Sequence, residues 1–256
     1  VTQLLEDSRG ELWMRFRTGG LNRYDPVTQR FHLYLHDPDD PASISGDIAS
    51  EYRFSANMEP TMLETRDGVI WIGTTQGLNR YDRNSDSFER YYHRPGDSTS
   101  LTGNSITTLL EGRDGYLWIG TTTGLCRLDP RTGRFRQLRH DPDDPGAGLS
   151  GNYIRTLYQD SRGVVWAGTR WGGLNRIDAD PVTGAFRIRH YLYDKEIPPH
   201  ERRNEITVIR ESRRGELLVG GEAGLFILAP GSEAFRQVRA GRPIAAVQFI
   251  FEDSKG

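Results

Sequence analysis

The chain has 256 residues, enough for one or two domains with a sizeable core, and its 36% hydrophobic and 27% charged residues are ordinary values for a soluble fold. Lys plus Arg is 33 against 35 for Asp plus Glu, with no block of one sign, so an electrostatic grip on nucleic acid or an anionic membrane is not indicated. No apolar run approaches the roughly 20 residues of a membrane-spanning helix and no signal peptide is visible, while the single Cys126 rules out an internal disulfide framework and a cysteine zinc cluster.

One phrase recurs along the chain. It reads 10-GELWMRFRTGGLNRYDP-26, 68-GVIWIGTTQGLNRYD-82, 115-GYLWIGTTTGLCRLDP-130, 163-GVVWAGTRWGGLNRID-178 and 215-GELLVGGEAGLFILAP-230. Aligned on Gly10, Gly68, Gly115, Gly163, Gly215 and Gly256, the copies are spaced 58, 47, 48, 52 and 41 residues. Three residues after the turn glycine comes Trp13, Trp71, Trp118, Trp166 or Leu218. A Gly-Leu pair follows, and Phe31, Phe88, Phe135, Phe186 or Phe235 closes the unit.

Each unit reads as four short strands, seen most plainly in the third at 105–112, 116–122, 124–129 and 134–140. The Asp114-Gly115 pair and the stretch 129-DPRTG-133 mark hairpins, and no segment keeps a helical period over ten residues. Four strands per unit of roughly 40–50 residues is the pattern of a β-propeller blade. The fold class is therefore all-β: five four-stranded antiparallel blades at about 1–36, 57–93, 104–140, 152–192 and 204–239, with an extra strand near 244–252. Leu117, Trp118 and Ile119 stand side by side because an inner strand of a blade is covered on both faces. Gly120 suggests close approach by another backbone, and Gly124 the dihedral of a tight turn.

The pattern D-x-x-G-x-[LIV]-W-[IA]-G-T-x-x-G-L-[NC]-R-[YLI]-D resembles the two-component regulator propeller repeat, as do the spacers 31-FHLYLHDPDDPASISGD-47 and 135-FRQLRHDPDDPGAGLSGN-152. The first unit departs from it with Arg15 and Phe16 in place of Gly and Thr, and the fifth lacks the Trp and the Asn-Arg pair. The resemblance implies an extracytoplasmic (in many such bacteria periplasmic) sensing region of a hybrid two-component or related membrane-bound regulator. It also implies more blades per ring than five, so the chain reads as a piece of a longer protein, itself not membrane-spanning, with self-association in a sensor dimer as a further expectation.

Up-and-down strands sort the connections by face. Short, uniform hairpins join strands one to two and three to four. The turn from strand two to three and the links between units lie on the other face and vary in length and sequence, which is where binding is expected. The candidate ligand-binding residues are Arg17, Gln76, Thr123, Arg170 and Trp171 in the turns, Glu51, Tyr52 and Arg53 in the longest link, and Arg155 near an innermost strand. Trp171 beside Arg170 suits stacking on a sugar ring with a guanidinium for an anion or hydroxyl. The other reading is that Trp171 folds down on its own blade. Arg155 either faces a central channel or forms a salt bridge to a neighbouring blade.

His36, His93, His140 and His190 recur by repeat, which separates them, so no metal site is expected. The Asp-Pro pairs at 37–41 and 141–145 and the recurring Asn104, Asn152 and Asn204 read as turn and cap chemistry rather than calcium ligands. No nucleophile elbow or placed Cys-His pair stands out, and no catalytic residue or cofactor is assigned. The first reading is a sensor propeller binding a small molecule such as an oligosaccharide; the alternatives are an interaction scaffold and, third, a propeller lyase or hydrolase.

Overall fold

The computed structural model describes residues 3–16, 20–46, 61–144, 148–180, 184–192, 204–239 and 246–253. Twenty strands form five four-stranded antiparallel sheets, each in sequential order, and no α-helix occurs among the described residues. These are β-propeller blades. Blade 1 is β1 Gln3–Glu6, β2 Leu12–Arg15, β3 Leu21–Asp25 and β4 Arg30–Tyr34. Blade 2 is β5 Met62–Glu64, β6 Ile70–Gly73, β7 Leu78–Asp82 and β8 Ser87–Tyr91. Blade 3 is β9 Ile106–Glu111, β10 Leu117–Thr121, β11 Gly124–Asp129 and β12 Arg134–Leu138. Blade 4 is β13 Ile154–Gln159, β14 Val165–Thr169, β15 Leu174–Ala179 and β16 Phe186–Tyr191. Blade 5 is β17 Ile206–Glu211, β18 Leu217–Gly221, β19 Gly224–Leu228 and β20 Arg236–Gln237.

By internal contacts the chain forms two compact units. The first holds residues 1–122 and 126–137, with blades 1 and 2 and nearly all of blade 3; the second holds residues 123–125 and 138–256, with blades 4 and 5. Within the first unit, Trp13, Leu21 and Ile44 pack with Met62, Ile70, Ile72, Tyr81 and Phe88 of blade 2. Trp71 and Leu78 pack in turn with Ile106, Leu109, Leu117 and Ile119 of blade 3. In the second unit Trp166 and Leu174 meet Ile206, Ile209, Leu217, Val219 and Leu228. Strands β10 and β14 are buried at every position, as expected of strands covered on both faces.

A glycine at or next to the end of the second strand keeps the blades close in blades 2 and 4, where its neighbour is a side chain. A Cβ on Gly73 would lie 2.5 Å from Cγ2 of Ile106, and one on Gly168 would lie 2.7 Å from Cγ2 of Ile206, in each case an isoleucine on the first strand of the following blade. Blade 1 has Arg15 there. It is buried, donates to Thr61 Oγ1 at 2.6 Å, and burial lowers its pKa to about 10.

A second set of contacts ties successive blades on the hairpin side. Ser8 N donates to Glu64 Oε2 at 2.7 Å, Arg66 N to Glu111 Oε2 at 3.0 Å, Ser161 N to Glu211 Oε2 at 2.6 Å and Arg213 N to Glu252 Oε2 at 3.1 Å. The first three of these glutamates, Glu64, Glu111 and Glu211, end the first strand of the next blade.

Two expectations change in detail. Residues 246–253 form no strand; Val247 N donates to Gly221 O at 3.0 Å and Glu252 takes the Arg213 amide. Among the described residues no second strand of that unit is present to build a ladder. In blade 4 the register pairs Ile177 with Ile188 and Ala179 with Phe186, so Ile188 occupies the place that Phe88 holds opposite Tyr81 in blade 2. Blade 4's longer last hairpin moves Phe186 two residues toward the turn.

Candidate functional site

In blades 2, 3 and 4 the loop face is anchored by the third residue of the Gly-Leu-x-Arg motif. In blade 2, Asn79 Oδ1 accepts from Ser45 N at 2.8 Å, and its amide donates to Ser45 Oγ at 2.9 Å and to Ile72 O at 3.0 Å. In blade 3, Cys126 Sγ accepts from Thr102 N at 3.0 Å. In blade 4, Asn175 Oδ1 accepts from Ser150 N at 2.8 Å. Each buried polar group fixes the link that leads into its own blade, and that link rises to the loop face.

A threonine seeds the turn from second to third strand. Thr74 Oγ1 accepts from Gln76 N at 3.0 Å and donates to Gly77 O at 3.1 Å. Thr169 Oγ1 accepts from Gly172 N at 2.8 Å and donates to Gly173 O at 3.0 Å. The turn in blade 4 therefore holds one residue more. Gly172 lies against the Ser150 carbonyl, where a Cβ would clash, and the extra length pushes Trp171 outward.

The result is an aromatic-cationic cluster at the end of blade 4. Trp171 is 41% exposed and packs edge to face with Tyr153, ring centroids 5.7 Å apart at 89°. The Arg170 guanidinium lies 5.1 Å from the Tyr153 ring and 4.9 Å from the Trp171 ring, and Arg170 N donates to Tyr153 O at 3.0 Å. Cation–π contact holds the guanidinium between two rings while its edge remains part-exposed. Trp171 neither folds flat into its blade nor stands free; it leans on Tyr153. The sequence reading missed Tyr153. Its signal is an aromatic immediately before the first strand, where blades 3 and 5 have Ser105 and Glu205.

The other candidates fall in different places. Arg155 forms the salt bridge that was one of its two readings: its Nε lies 3.3 Å from Oε1 of the buried Glu205 on blade 5. Gln76 belongs to the first unit, is exposed, and lays its side-chain stem over Gly46. Thr123 is exposed and its carbonyl accepts from Arg139 Nη1 at 3.1 Å. Arg17, Glu51, Tyr52 and Arg53 lie outside the described residues.

The recurring polar residues serve the links. His36, His93 and His140 place Nδ1 at 2.8, 2.6 and 2.7 Å from the carbonyls of Ile44, Leu101 and Leu149. His190 is no member of that set: it pairs with Asn175, as Arg90 pairs with Asn79, and turns Nε2 to Gly148 O at 2.8 Å. Asn104 and Asn152 cap the backbone amides of His93 and His140 at 2.6 and 2.8 Å. In the Asp-Pro spacers, Asp37 takes Asp39 N, Asp40 takes Ala42 N and Asp141 takes Asp143 N, each at 2.9 Å, which is turn chemistry. The spacer carbonyls of Asp40 and Ser43 receive the Arg90 guanidinium. Among the described residues no three His, Cys, Asp or Glu side chains gather to hold a metal ion, and no helix is long and apolar enough to cross a membrane.

Comparison with known proteins supports the same fold. Residues 54–76, 100–123 and 148–171 match the family described as Two component regulator propeller. No curated protein gives a match. Among solved structures, the extracellular domain of BT4673 from B. thetaiotaomicron, described as a one component system, is similar at 20% identity with a TM-score of 0.66, over 99% of this chain and 31% of that one. A second structure of a BT4673 extracellular domain, described as a hybrid two component system, is similar at 21% identity with a TM-score of 0.55, over 96% of this chain and 34% of that one. Virginiamycin B lyase from Staphylococcus aureus, solved with quinupristin, is similar at 14% identity with a TM-score of 0.57, over 91% and 67%. The chain therefore spans about a third of the length of the first of these, and identities this low establish the fold alone.

Proposed function

We propose that this chain is the ligand-sensing part of an extracytoplasmic propeller in a bacterial two-component or one-component regulator. On this reading it binds a small molecule and performs no chemistry of its own; self-association would be the way occupancy reaches an output domain. The family match and the likeness to extracellular sensor domains support the setting. The observation that carries the binding site is the part-exposed Trp171 ring braced by Tyr153 and Arg170 on the variable-loop face.

A flat aromatic face beside a guanidinium suits a sugar ring bearing an acidic or hydroxyl group: the ring stacks, and the fork of donors meets the oxygen atoms. An oligosaccharide fits such an open, shallow platform better than a compact apolar molecule, which would need an enclosed pocket. The test is isothermal calorimetry with an oligosaccharide fraction that binds the parent chain, repeated on Trp171→Ala and Arg170→Ala. Loss of affinity of at least about tenfold in each, the size of one contact of roughly 1.4 kcal/mol, supports the site; undiminished affinity removes it.

A further inference from the structure

We infer that blade 4 carries a site for a tetrahedral oxyanion, phosphate or sulfate, free or as an ester, on the outer part of the face it turns toward blade 5. The β15–β16 register sets Arg176 opposite Arg189 and Asp178 opposite Arg187. Arg187 and Arg189 stand two apart on one strand, so their side chains share a face. At the same positions blade 2 has Arg80 opposite Glu89, an ion pair at 3.4 Å, and Asp82 opposite Ser87. Blade 4 thus exchanges a carboxylate and a hydroxyl for two guanidinium groups. Like charges directly opposite on paired strands repel, so the Arg176–Arg189 pair calls for a neutralising group.

Together with Ala179 the three arginines line an open cavity of about 340 Å³, whose wall also holds Asp178 and Asp180. Arg176 is held in place: its guanidinium lies 5.8 Å from the Trp166 ring and donates to Asp178 Oδ1 from Nε at 3.2 Å and from Nη2 at 2.9 Å. Arg189 donates through Nη1 to both carboxylate oxygens of Glu233 at 3.0 Å each, and that glutamate side chain is 71% exposed. Arg187 is exposed and makes no ion pair among the described residues. Glu233 therefore occupies the place of an external anion. An ion pair this exposed contributes little, so a better-matched oxyanion displaces it.

Blade 1 also sets two cations opposite each other, Arg23 and His32, but there the protein fills the space itself. The Arg23 guanidinium donates to the Tyr81 hydroxyl, lies 3.5 Å from Asp86, and has the Trp13 and Tyr34 rings over it, so its side chain is only 12% exposed. The cavity of blade 4 is open, and its charge selects the ligand. Three arginines against Asp178 and Asp180 leave one net positive charge on the wall once Glu233 moves aside, which fits one oxyanion group and not a polyanion. Guanidinium forks match the oxygens of phosphate and sulfate, and a tetrahedral group serves several forks at once where a planar carboxylate serves fewer.

The test is a titration of the isotope-labelled chain with sodium sulfate and, separately, inorganic phosphate, at ionic strength held constant with sodium chloride. It is read from the backbone amide shifts of 176–180 and 186–189. Both anions are expected to give saturable shifts there, with acetate at least about fivefold weaker. Arg187→Gln and Arg189→Gln should each weaken binding at least about tenfold, and Glu233→Gln should tighten it about two- to fivefold by removing the competitor. Arg131→Gln, at an exposed arginine of blade 3, is the control and should change nothing. Shifts that do not saturate, that follow ionic strength whichever anion is added, or that survive the two arginine changes together overturn the inference. Equal affinity for acetate overturns the tetrahedral assignment. Weaker binding in Glu233→Gln also contradicts it, because the glutamate would then belong to the site instead of standing in for its occupant.

Discussion

The Asp160 carboxylate accepts a hydrogen bond from the indole nitrogen of Trp166 at 3.1 Å, with both residues buried. Its other oxygen accepts from Arg162 N and Val164 N at 3.0 Å each, so one side chain closes the D-x-x-G turn and orients the core tryptophan. Blade 1 repeats the arrangement: Asp7 takes Trp13 Nε1 at 2.9 Å and the amides of Arg9 and Glu11 at 3.0 Å. Arg83 of blade 2 adds an ion pair to Asp7 at 2.6 Å. In these two blades the spacing of Asp and Trp follows from this bond; blades 2 and 3 have Thr65 and Gly112 in place of the Asp.

Burial opposes the charge on Asp160, but hydrogen bonds from Trp166, Arg162 and Val164 outweigh it and hold the carboxyl below the usual carboxylate range. A group whose folded pKa is depressed contributes stability above its unfolded value near 3.8, and that contribution is lost as pH falls through the folded pKa. Asp160→Asn is expected to cost about 1–3 kcal/mol at neutral pH and to narrow its deficit against the parent as pH drops below about 4. Urea melts of both proteins across that range measure it.

Trp118 is 3% exposed and Trp171 is 41% exposed, which separates their roles. Trp118→Ala is expected to cost about 3–5 kcal/mol, because a buried indole leaves a cavity. Trp171→Ala should stay within about 1 kcal/mol of the parent, as for a surface residue. Equal losses in denaturant melts would make Trp171 a core residue and remove it from the binding platform.

Gly168 has no room for a methyl group between Thr156 and Ile206. Gly168→Ala is expected to destabilise by about 1–3 kcal/mol through overpacking. The double change Gly168→Ala with Thr156→Ser should recover part of that loss, since it removes the Thr156 Cγ2 that would lie 2.6 Å from the added methyl. Thermal melts of the two variants decide.

Cys126 is fully buried, its Sγ 3.0 Å from the Thr102 amide. Cys126→Ala is expected to cost about 1–3 kcal/mol by leaving that amide without its acceptor, while Cys126→Asn should cost less because Asn79 and Asn175 already fill the role. In the native chain the thiol should react with a disulfide reagent only at the rate of unfolding, measured by absorbance.

Much of the fold was legible because repetition separates structure from chance. Five copies of the Trp and Gly-Leu positions fixed the blades, and the uninterrupted apolar run of Leu117, Trp118 and Ile119 declared a strand with two covered faces. What the sequence left open depended on partners distant in the chain. The Asn of Gly-Leu-Asn-Arg carries no partner legible in its own unit, yet in blades 2 and 4 it is the acceptor for an inter-blade link. His190 looked like a fourth copy of a repeated histidine until the β15–β16 register put it opposite Asn175. Arg170 and Trp171 stood out as an odd pair, but Tyr153 lies 17 residues before Arg170, and only the shape of the link brings the three together.

The most direct test of ligand sensing on the loop face is hydrogen–deuterium exchange of the chain with and without an oligosaccharide that binds it. The expected result is slowed exchange in the link around 148–153 and the turn 170–173, with the hairpins at Arg9-Gly10, Asp67-Gly68 and Asp114-Gly115 unchanged. Those hairpins are nearly alike between blades and offer nothing to tell one ligand from another. Protection confined to the hairpins, with the Tyr153, Arg170 and Trp171 segments unaffected, would contradict the account.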